Sequence, residues 1–345
     1  MKIKAIGFTQ GNISIDDENS LQNVEIDMPM AKDKDILVKV NAVGLNPVDT
    51  KIRRNSKEKT ESPRILGFDA VGIVENIGEN VTKFKKGDRV YYSGALAYSG
   101  SNAQYQLMHE GLVSIAPEIL SDNCVAGVPL TGITAYECLF EKMHIPFEKN
   151  SAKGKTILFI NGAGGVGSIG IQLAKWAGLT VIATSSRQET TDWCKKMGAD
   201  HTVDYKKNIV EQVRELGFEN VDYILISHST EKYFETCAEL IAPLGYIVSI
   251  EEIYENLPMD LIRRKSVTFA WELMFTKHLF NTEIYSQGEI LAKLSNLFEN
   301  KELVSTVVAE ITTGINATNL RAAHKMLESG KTIGKVVVSG EFDGK

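Results

Sequence analysis

Residues 157–178 read ILFINGAGGVGSIGIQLAKWAG, and this stretch joins a buried strand, a glycine-rich turn and a helix. Residues 157–161 form a short apolar run, which is typical of a strand covered on both faces. The residues after the turn follow a helical spacing and end at Gly178, and a glycine commonly follows the last turn of a helix. A strand, a turn and a helix in this order predict one unit of a parallel α/β sheet.

The turn has the pattern G-x-G-x-x-G. We expect Gly162 to form the tight turn, Gly164 to let the backbone approach a pyrophosphate, and Gly167 to let the helix pack closely on the strand. Amide groups at a helix N-terminus are unpaired and carry partial positive charge, so they attract phosphates. The turn therefore predicts dinucleotide binding, in preference to a purely structural role. Its candidate cofactor-binding residues are Gly162, Ala163, Gly164, Gly165, Val166 and Gly167.

The segment that follows indicates which dinucleotide is bound. NAD-binding proteins of this architecture carry an acidic residue about 20 positions further on, where it binds the ribose 2′-hydroxyl. Here residues 183–187 read ATSSR and contain no carboxylate. Hydroxyl and guanidinium groups suit a 2′-phosphate, which a carboxylate would repel. Ser185 and Arg187 therefore favour NADPH over NADH, the alternative for Arg187 being a solvated residue at a helix start.

The pattern of strands and helices divides the chain. Downstream of the turn, strands at 180–186, 221–227 and 246–250 alternate with helices such as 189–198, which predicts a parallel sheet with crossover helices. Upstream, residues 1–125 are β-rich, and the charged segment 51–61 is interpreted as a solvated loop. The change occurs near Leu130. The tail contains two predicted helices, at 289–299 and 320–329, and a strand at 335–339.

Composition narrows the class of protein. A chain of 345 residues exceeds one hydrophobic core, so two domains are expected. The formal net charge of -6 argues against a broad nucleic-acid interface. The sequence contains no run of 18 apolar residues, so no membrane-spanning helix is predicted. The first residues lack the apolar core of a signal peptide, so we expect a cytoplasmic protein. No C-x-x-C occurs among the cysteines, which we expect to be buried hydrophobic residues: Cys124, Cys138, Cys194 and Cys237.

Several further segments resemble the medium-chain dehydrogenase/reductase superfamily, and within it the quinone reductase branch often labelled zinc-type alcohol dehydrogenase-like. They are AVGLNPVD at 42–49, GFDAVG at 67–72, VTKFKKGDRV at 81–90, PLTGITAY at 129–136, GADH at 198–201 and WELMF at 271–275. The resemblance implies an α/β protein with a Rossmann doubly wound parallel sheet and a chaperonin-10-like β-rich catalytic domain. The catalytic domain would comprise residues 1–127 and 279–345, the Rossmann domain residues 128–278, with the active site in the cleft between them.

The resemblance also bears on metal binding. Zinc-dependent members carry a cysteine in the segment aligned with residues 43–49 and a His-Glu pair in the segment aligned with 67–69. This chain has Asn46 in the first segment and Phe68-Asp69 in the second, and the four-cysteine structural zinc lobe is absent. Phenylalanine cannot bind a metal, and an amide oxygen is a poor zinc ligand. We therefore expect no metal ligands in this chain.

The resemblance implies roles for further residues. Asn46 and Thr131 would lie near the nicotinamide, although Asn46 before Pro47 also fits a structural turn. Quinone reductases of this type often have a tyrosine where this chain has Lys51, so the proton donor is unassigned; Lys51 or Arg53 would hold an anionic substrate oxygen or be solvated. The resemblance also implies further cofactor-binding candidates: Tyr205 near the adenosine, Ser227 and His228 near a ribose, and Ser249 and Lys335. A hydrogen-bonded structural role is the alternative for His228.

These observations favour an NADPH-dependent reductase of quinones or α,β-unsaturated carbonyls. A non-enzymatic NADPH-binding sensor, a crystallin-like protein and a zinc-type alcohol dehydrogenase remain as alternatives. A short-chain dehydrogenase is disfavoured, because none of the eleven tyrosines has a lysine four residues later.

Relatives commonly form homodimers through the last strand of the Rossmann sheet, which predicts pairing through residues 266–275; a buried strand of a monomer is the alternative.

Overall fold

The computed structural model describes residues 1–343. They form two compact units: unit 1 comprises residues 1–133 and the chain from Phe275 onward, and unit 2 comprises residues 134–274. The boundaries expected from the sequence, 127/128 and 278/279, lie a few residues away. The first observed boundary falls within a helix, at Pro129–Tyr136, so the change of composition near Leu130 marks the start of that helix.

The strands, numbered along the chain, are β1 (Lys2–Gln10), β2 (Gln22–Asp27), β3 (Asp35–Leu45), β4 (Lys59–Ile65), β5 (Asp69–Ile77), β6 (Arg89–Ser93), β7 (Tyr105–His109), β8 (Val113–Ile115), β9 (Thr156–Ile160), β10 (Thr180–Ser185), β11 (His201–Asp204), β12 (Val221–Ile226), β13 (Ile241–Ser249), β14 (Thr268–Trp271), β15 (Val307–Ile311) and β16 (Lys335–Ser339).

The α-helices are α1 (Pro47–Asn55), α2 (Asp122–Ala126), α3 (Pro129–Tyr136), α4 (Gly165–Trp176), α5 (Gln188–Lys196), α6 (Ile209–Glu215), α7 (Thr230–Leu240), α8 (Asp260–Arg263), α9 (Thr276–Leu279), α10 (Ser286–Glu299) and α11 (Ala317–Glu328). Short 3-10 helices occur at Glu18–Ser20 and Glu110–Leu112, and a π-helix at Glu137–Lys142. Nowhere in residues 1–343 is there a helix with the length and apolar character needed to cross a bilayer.

Unit 1 is β-rich, as predicted. Its larger sheet has the order β15-β16-β3-β5-β6-β8, with β7 paired to the far end of β3, and its smaller sheet has the order β2-β1-β4. In the larger sheet, Val336 lies opposite Leu45 and Asp69 lies opposite Gly44. One end of β3 therefore meets the first residues of β16 and β5, and this convergence places the polar side chains described below.

Helix α1 corrects the prediction of a solvated loop over residues 51–61, most of which belong to α1 and β4. Pro47 occupies the first helical turn, and the Asp49 carboxylate accepts a hydrogen bond from the Asn46 amide N–H at 2.9 Å. The buried face of the helix is polar, since it consists of Asp49, Thr50 and Arg53. A helix that buries polar side chains has no apolar stripe, so its sequence is typical of a solvated segment.

Unit 2 contains the predicted Rossmann sheet. Its six strands are all parallel and have the order β11-β10-β9-β12-β13-β14. The chain runs from β9 outward to β11, then returns to β12 on the other side of β9. In open α/β sheets, ligands bind at the carboxyl ends of the strands where the order reverses. The glycine turn follows β9 and lies at this position.

The strand expected over residues 266–275 is shorter than predicted. Strand β14 spans Thr268–Trp271 only. Its partner β13 ends at Ser249, which is paired with Trp271. The pairing ends there, after the Glu272 amide donates to the Ser249 carbonyl at 3.0 Å.

Candidate functional site

Four side chains form a buried polar cluster in unit 1, made of Asn46, Asp49, Asp69 and Lys335. Asn46 follows β3, Asp49 lies on α1, and Asp69 and Lys335 begin β5 and β16. Each is at most 2% exposed. Burying charged groups is costly unless they are paired, so the contacts within the cluster decide whether it is stable.

The Lys335 ammonium has a complete set of acceptors. Nζ donates to the Leu45 carbonyl at 2.9 Å, to Asn46 Oδ1 at 2.5 Å and to Asp69 Oδ2 at 2.9 Å. An ammonium has three donors, so all of them are used. Lys335 was a candidate for cofactor contact, and that contact stays a prediction; in this arrangement no N–H group of its ammonium is left for a cofactor.

Asp69 connects the strands to α3. Its Oδ2 also accepts from Asn46 Nδ2 at 2.9 Å, and its Oδ1 accepts from the Leu130 amide at 2.6 Å. The Asn46 amide is thus held through its oxygen by Lys335 and through its nitrogen by Asp69. The predicted approach of Asn46 to a nicotinamide stays a prediction, and its side-chain orientation is fixed by this pairing.

Asp49 is the second acidic group of the cluster. Its Oδ2 accepts from the backbone N–H of Asn46, and its Oδ1 accepts from the backbone N–H of Gly67 at 3.1 Å. Burial raises the pKa of Asp49 to about 7; the Asn46 N–H opposes this shift, the neighbouring Asp69 adds to it, and Lys335 and the Gly67 N–H lower it again. Asp49 therefore keeps its proton to a higher pH than an exposed aspartate does.

The donors of the cluster do not fit a zinc ion. They are an amide oxygen, two carboxylates and a backbone carbonyl, whereas zinc sites in proteins are built mainly from cysteine sulfur and histidine nitrogen. Phe68 supplies no donor, and its ring packs against Phe275 with centroids 4.9 Å apart. Among residues 1–343, no three His, Cys, Asp or Glu side chains are grouped so as to hold a metal ion. Asn46 and Asp69 are instead bound to the Lys335 ammonium.

The other catalytic candidates lie apart from these contacts. Thr131 is buried on α3, and its hydroxyl donates weakly to the carbonyls of Gly127 and Val128 at 3.5 and 3.3 Å. Lys51 is exposed on α1. Arg53 is buried, and it donates to the Ile13 carbonyl at 2.7 Å and to Glu328 at 2.6 Å. Arg53 is thus paired within the protein and is not solvated, which corrects that alternative, and its contact with a substrate oxygen stays a prediction.

The glycine turn of unit 2 fits a pyrophosphate. A Cβ on Gly162 would lie 2.7 Å from the Ala183 Cβ, and one on Gly167 would lie 2.5 Å from the Gly162 carbonyl. These two glycines are required by the packing of the turn itself. A Cβ on Gly164 would meet only the Asn161 side-chain amide within 3 Å. Gly164 is partly exposed at the start of α4, where the first backbone amides of a helix have no partner within the helix and can bind an anion.

The remaining cofactor candidates lie at the carboxyl ends of the parallel strands. Ser185 ends β10 and shares a hydrogen bond with Thr191 at 2.8 Å, and Arg187 directly precedes α5. Ser227 follows β12 and donates to the Ile160 carbonyl at 2.8 Å; Ser249 ends β13 and shares a hydrogen bond with Thr230 at 2.7 Å. Tyr205 and His228 are exposed after β11 and β12. The structure groups these residues at one edge of the sheet, and their contacts with a cofactor stay predictions.

Asp49 and Asp69 were not among the candidate site residues. The sequence carries a signal for both, since each belongs to a segment that resembles the superfamily. The pairing of Asp69 with Lys335, which is 266 residues away along the chain, is not visible in any local pattern.

Two family models match the chain. The model described as "Alcohol dehydrogenase GroES-like domain" matches residues 32–149, and the model described as "Zinc-binding dehydrogenase" matches residues 165–288. The first match lies mostly within unit 1 and the second mostly within unit 2. Together they confirm the expected pairing of a GroES-like β domain with a Rossmann sheet.

Curated relatives match along the whole chain. A zinc-type alcohol dehydrogenase-like protein from Staphylococcus aureus (strain MRSA252) is 44% identical over 98% of this chain and 100% of its own length. The NADPH-dependent alkenal/one oxidoreductase from Arabidopsis thaliana is 36% identical over 54% of this chain and 49% of that protein. The match to the first relative covers both units.

Solved structures share the fold. A Rhizobium etli CFN 42 protein named after the zinc-dependent alcohol dehydrogenases has a TM-score of 0.91 and 38% identity, over 99% of this chain and 98% of that one. The quinone oxidoreductase from Coxiella burnetii has a TM-score of 0.80 and 26% identity, over 99% and 100%. A mycobacterial protein complexed with NADPH has a TM-score of 0.80 and 25% identity, over 99% and 100%.

Proposed function

The chain belongs to the medium-chain dehydrogenase/reductase superfamily, in its zinc-type alcohol dehydrogenase-like group, and we propose that it is an NADPH-dependent reductase of quinones or α,β-unsaturated carbonyls. Members of this superfamily use a nicotinamide cofactor, and the glycine turn of unit 2 fits the pyrophosphate of such a cofactor. The relatives named as an alkenal/one oxidoreductase and a quinone oxidoreductase support this substrate class.

The choice of NADPH rests on the end of β10. Ser185 and Arg187 stand where an NAD-binding protein would carry a carboxylate, and a guanidinium pairs well with a 2′-phosphate. The mycobacterial structure of the same fold is complexed with NADPH. Gly164 would receive the pyrophosphate, since it is partly exposed and an added Cβ would meet only the flexible Asn161 side-chain amide within 3 Å.

One observation carries the proposed substrate class: Asn46 and Asp69 are bound to the Lys335 ammonium, and Phe68 supplies no donor atom. A simple alcohol or ketone needs strong polarisation, which zinc supplies in zinc-dependent members. The residues at these positions do not fit zinc. A quinone or an enone accepts hydride more readily, because its conjugated oxygen delocalises the developing charge.

The chain's own residues have limited tasks in this reaction. The cofactor, when bound, supplies the hydride. The glycine turn and the strand ends of unit 2 bind and orient it. The polar cluster holds the Asn46 side-chain amide in one orientation. No tyrosine stands at position 51, so the proton that completes the reduction comes from solvent or from a dispensable donor.

A test of substrate class uses NADPH oxidation with a panel of quinones and enones, beside NADP⁺ reduction with simple alcohols. We expect turnover of the conjugated acceptors, and NADPH deuterated at C4 should place deuterium on the β-carbon of an enone product. Asn46→Ala should lower kcat/KM by roughly tenfold to a hundredfold, the effect of losing one positioning hydrogen bond. Faster turnover of ethanol-type substrates than of any conjugated acceptor contradicts the proposal. Binding of NADPH without turnover favours a sensor or crystallin-like role.

We also propose that the protein is a homodimer joined at β14. This strand pairs with β13 on one side; Trp271 at its end is 44% exposed, and Leu273 just after it is 55% exposed. An apolar sheet edge of this kind favours pairing with a second copy. Light scattering should give twice the chain mass of 38.1 kDa, and Leu273→Glu should yield monomers. Met30→Glu, at an exposed apolar residue of unit 1, is the control and should leave the dimer intact.

For location, we propose the cytoplasm. The four cysteines are free, and three of them are buried, which suits a compartment that keeps thiols reduced. Fractionation of the source cells tests this, and recovery outside the cytoplasmic fraction contradicts it.

A further inference from the structure

The Lys335 ammonium has the surroundings of a bound cation. Three oxygens surround it, from the Leu45 carbonyl, the Asn46 amide and the Asp69 carboxylate, at 2.5 to 2.9 Å. The ammonium and both side-chain ligands are buried, and one ligand is an anion. A small monovalent cation bound in a protein has the same kind of shell of oxygen atoms. Here the cation is the Lys335 ammonium, which is covalently part of the chain.

The fold brings the ammonium to this position by strand register. Val336 is paired with Leu45, so the preceding residue of β16 lies beside the residue that follows β3. Asp69 is paired with Gly44 on the other side of β3. Three adjacent strand ends therefore deliver the cation and its two side-chain ligands to one point, without any loop having to close over them.

The positions of these ligands have a specific meaning within the superfamily. Asn46 and Asp69 stand in the two segments where zinc-dependent members carry their cysteine and their His-Glu pair. We propose that Lys335 is the resident cation of this chain: its ammonium replaces a bound metal as the positive centre that holds Asn46 and Asp69 in place. Lys335 is thus a positioning residue, because its three N–H groups are all directed at the protein itself.

The proposal predicts that a free cation can substitute for the side chain. Lys335→Ala would remove the ammonium and its stem, leaving a hole lined by the three oxygens. The variant should unfold at a temperature lower by about 10 °C, because Asp69 is left buried without its partner. Ammonium chloride or methylammonium chloride should recover about half of this loss, since a ligand of the folded state stabilises it by mass action. Tetramethylammonium chloride at equal ionic strength should recover none.

Lys335→Met is the matched control. It removes the same charge but fills the hole with an unbranched apolar side chain, so the destabilisation should remain and added ammonium should not reverse it. Unfolding is followed by calorimetry, because all three tryptophans, at 176, 193 and 271, lie in unit 2 and do not report on unit 1. Stabilisation of the wild type, Lys335→Ala and Lys335→Met to the same extent by ammonium would overturn the proposal, as would an unchanged unfolding temperature of Lys335→Ala.

If Lys335→Ala does not fold, the double variant Asp69→Asn with Lys335→Met still tests whether Lys335 and Asp69 compensate each other's charge. Removing both charges together should leave the protein more stable than Lys335→Met alone, because no unpaired carboxylate remains. A double variant that is less stable than Lys335→Met contradicts the pairing. These measurements need neither substrate nor cofactor, so they are independent of the proposed reductase activity.

Discussion

The glycine turn of unit 2 and the polar cluster of unit 1 treat charge in opposite ways. The turn between β9 and α4 carries no charged side chain, and it presents backbone amides that have no partner within the helix. The cluster contains a cation and two acidic side chains, and every N–H of its ammonium is taken by the protein. A site prepared for an external anion keeps its donors free, whereas a site with its own counterion saturates them.

The largest effect should come from unbalancing the cluster. Asp69→Ala leaves the Lys335 ammonium buried without its carboxylate and removes the acceptor of the Leu130 amide. We expect a loss of about 3–5 kcal/mol in the free energy of unfolding, measured by urea titration with far-UV circular dichroism. Asp16→Ala is the control: it breaks the ion pair with Lys325 at 2.6 Å, but both side chains are 66% exposed. That loss should be at most about 1 kcal/mol. Equal losses would mean that burial does not govern the cluster.

The glycine turn should respond to a side chain and not to charge. Gly164→Ala adds a methyl group where only the flexible Asn161 side chain is close, so the fold should be retained. NADPH affinity should fall by about a hundredfold, or about 2.8 kcal/mol, because the methyl group meets the pyrophosphate. Gly167→Ala should instead destabilise unit 2, since its methyl group meets the Gly162 carbonyl. Calorimetry of cofactor binding and thermal unfolding separate the two outcomes. Unchanged NADPH binding by Gly164→Ala would refute the assignment of the turn.

The choice between cofactors should depend on one side chain of unit 2. Arg187→Ala is expected to weaken NADPH binding by about 1.5–3 kcal/mol, the scale of a charge-assisted hydrogen bond, and to leave NADH binding nearly unchanged. Titration with tryptophan fluorescence measures both affinities. Lys195→Ala, which removes a cation from the last turn of α5, should change neither. Equal affinity of the wild type for the two cofactors would count against NADPH preference.

The smallest effects per step are those of pH, at about 1.4 kcal/mol per pH unit, and here two buried groups of unit 1 oppose each other. Burial raises the pKa of Asp49 from 3.8 to about 7, so its stabilisation is complete below pH 3.8 and is lost as pH rises through 7. Burial, with help from Arg53, lowers the pKa of His324 from 6.5 to about 3, so its stabilisation is present above pH 6.5 and is lost as pH falls. Neither ring nitrogen of His324 has a hydrogen-bond partner within residues 1–343.

Between pH 3.8 and 6.5 the contributions of Asp49 and His324 to the pH dependence of the free energy of unfolding should cancel in the wild type. Relative to wild type, Asp49→Asn should add a slope of about +1.4 kcal/mol per pH unit to the free energy of unfolding, and His324→Leu about −1.4 kcal/mol per pH unit. Urea titrations at several pH values in this window measure the slopes. Slopes of the same sign for the two variants would show that the groups do not have opposed protonation.

Local patterns predict the elements whose buried faces are apolar. The apolar residues within 69–77 and 335–339 predict β5 and β16 with their observed bounds, and the glycine turn predicts the start of the Rossmann sheet. Helix α1 escapes such prediction because its buried Arg53 is neutralised by Glu328, 275 residues away. The polar cluster is not predicted either, because the partners of its charged groups are also distant along the chain. The local sequence predicts only that Lys335 is the polar first residue of a strand, and its partners are known only once β16 is paired with β3.

The pairing of β16 with β3 has a consequence for the time course of folding. Asn46 and Asp69 leave the ribosome early, whereas Lys335 is separated from Asp69 by 266 residues, which include all of unit 2. At ordinary rates of synthesis this interval lasts on the order of ten seconds or more. During it, the nascent unit 1 has its acidic groups but not the cation that compensates them. Unit 1 is begun first and completed last, after the Rossmann sheet has had time to fold.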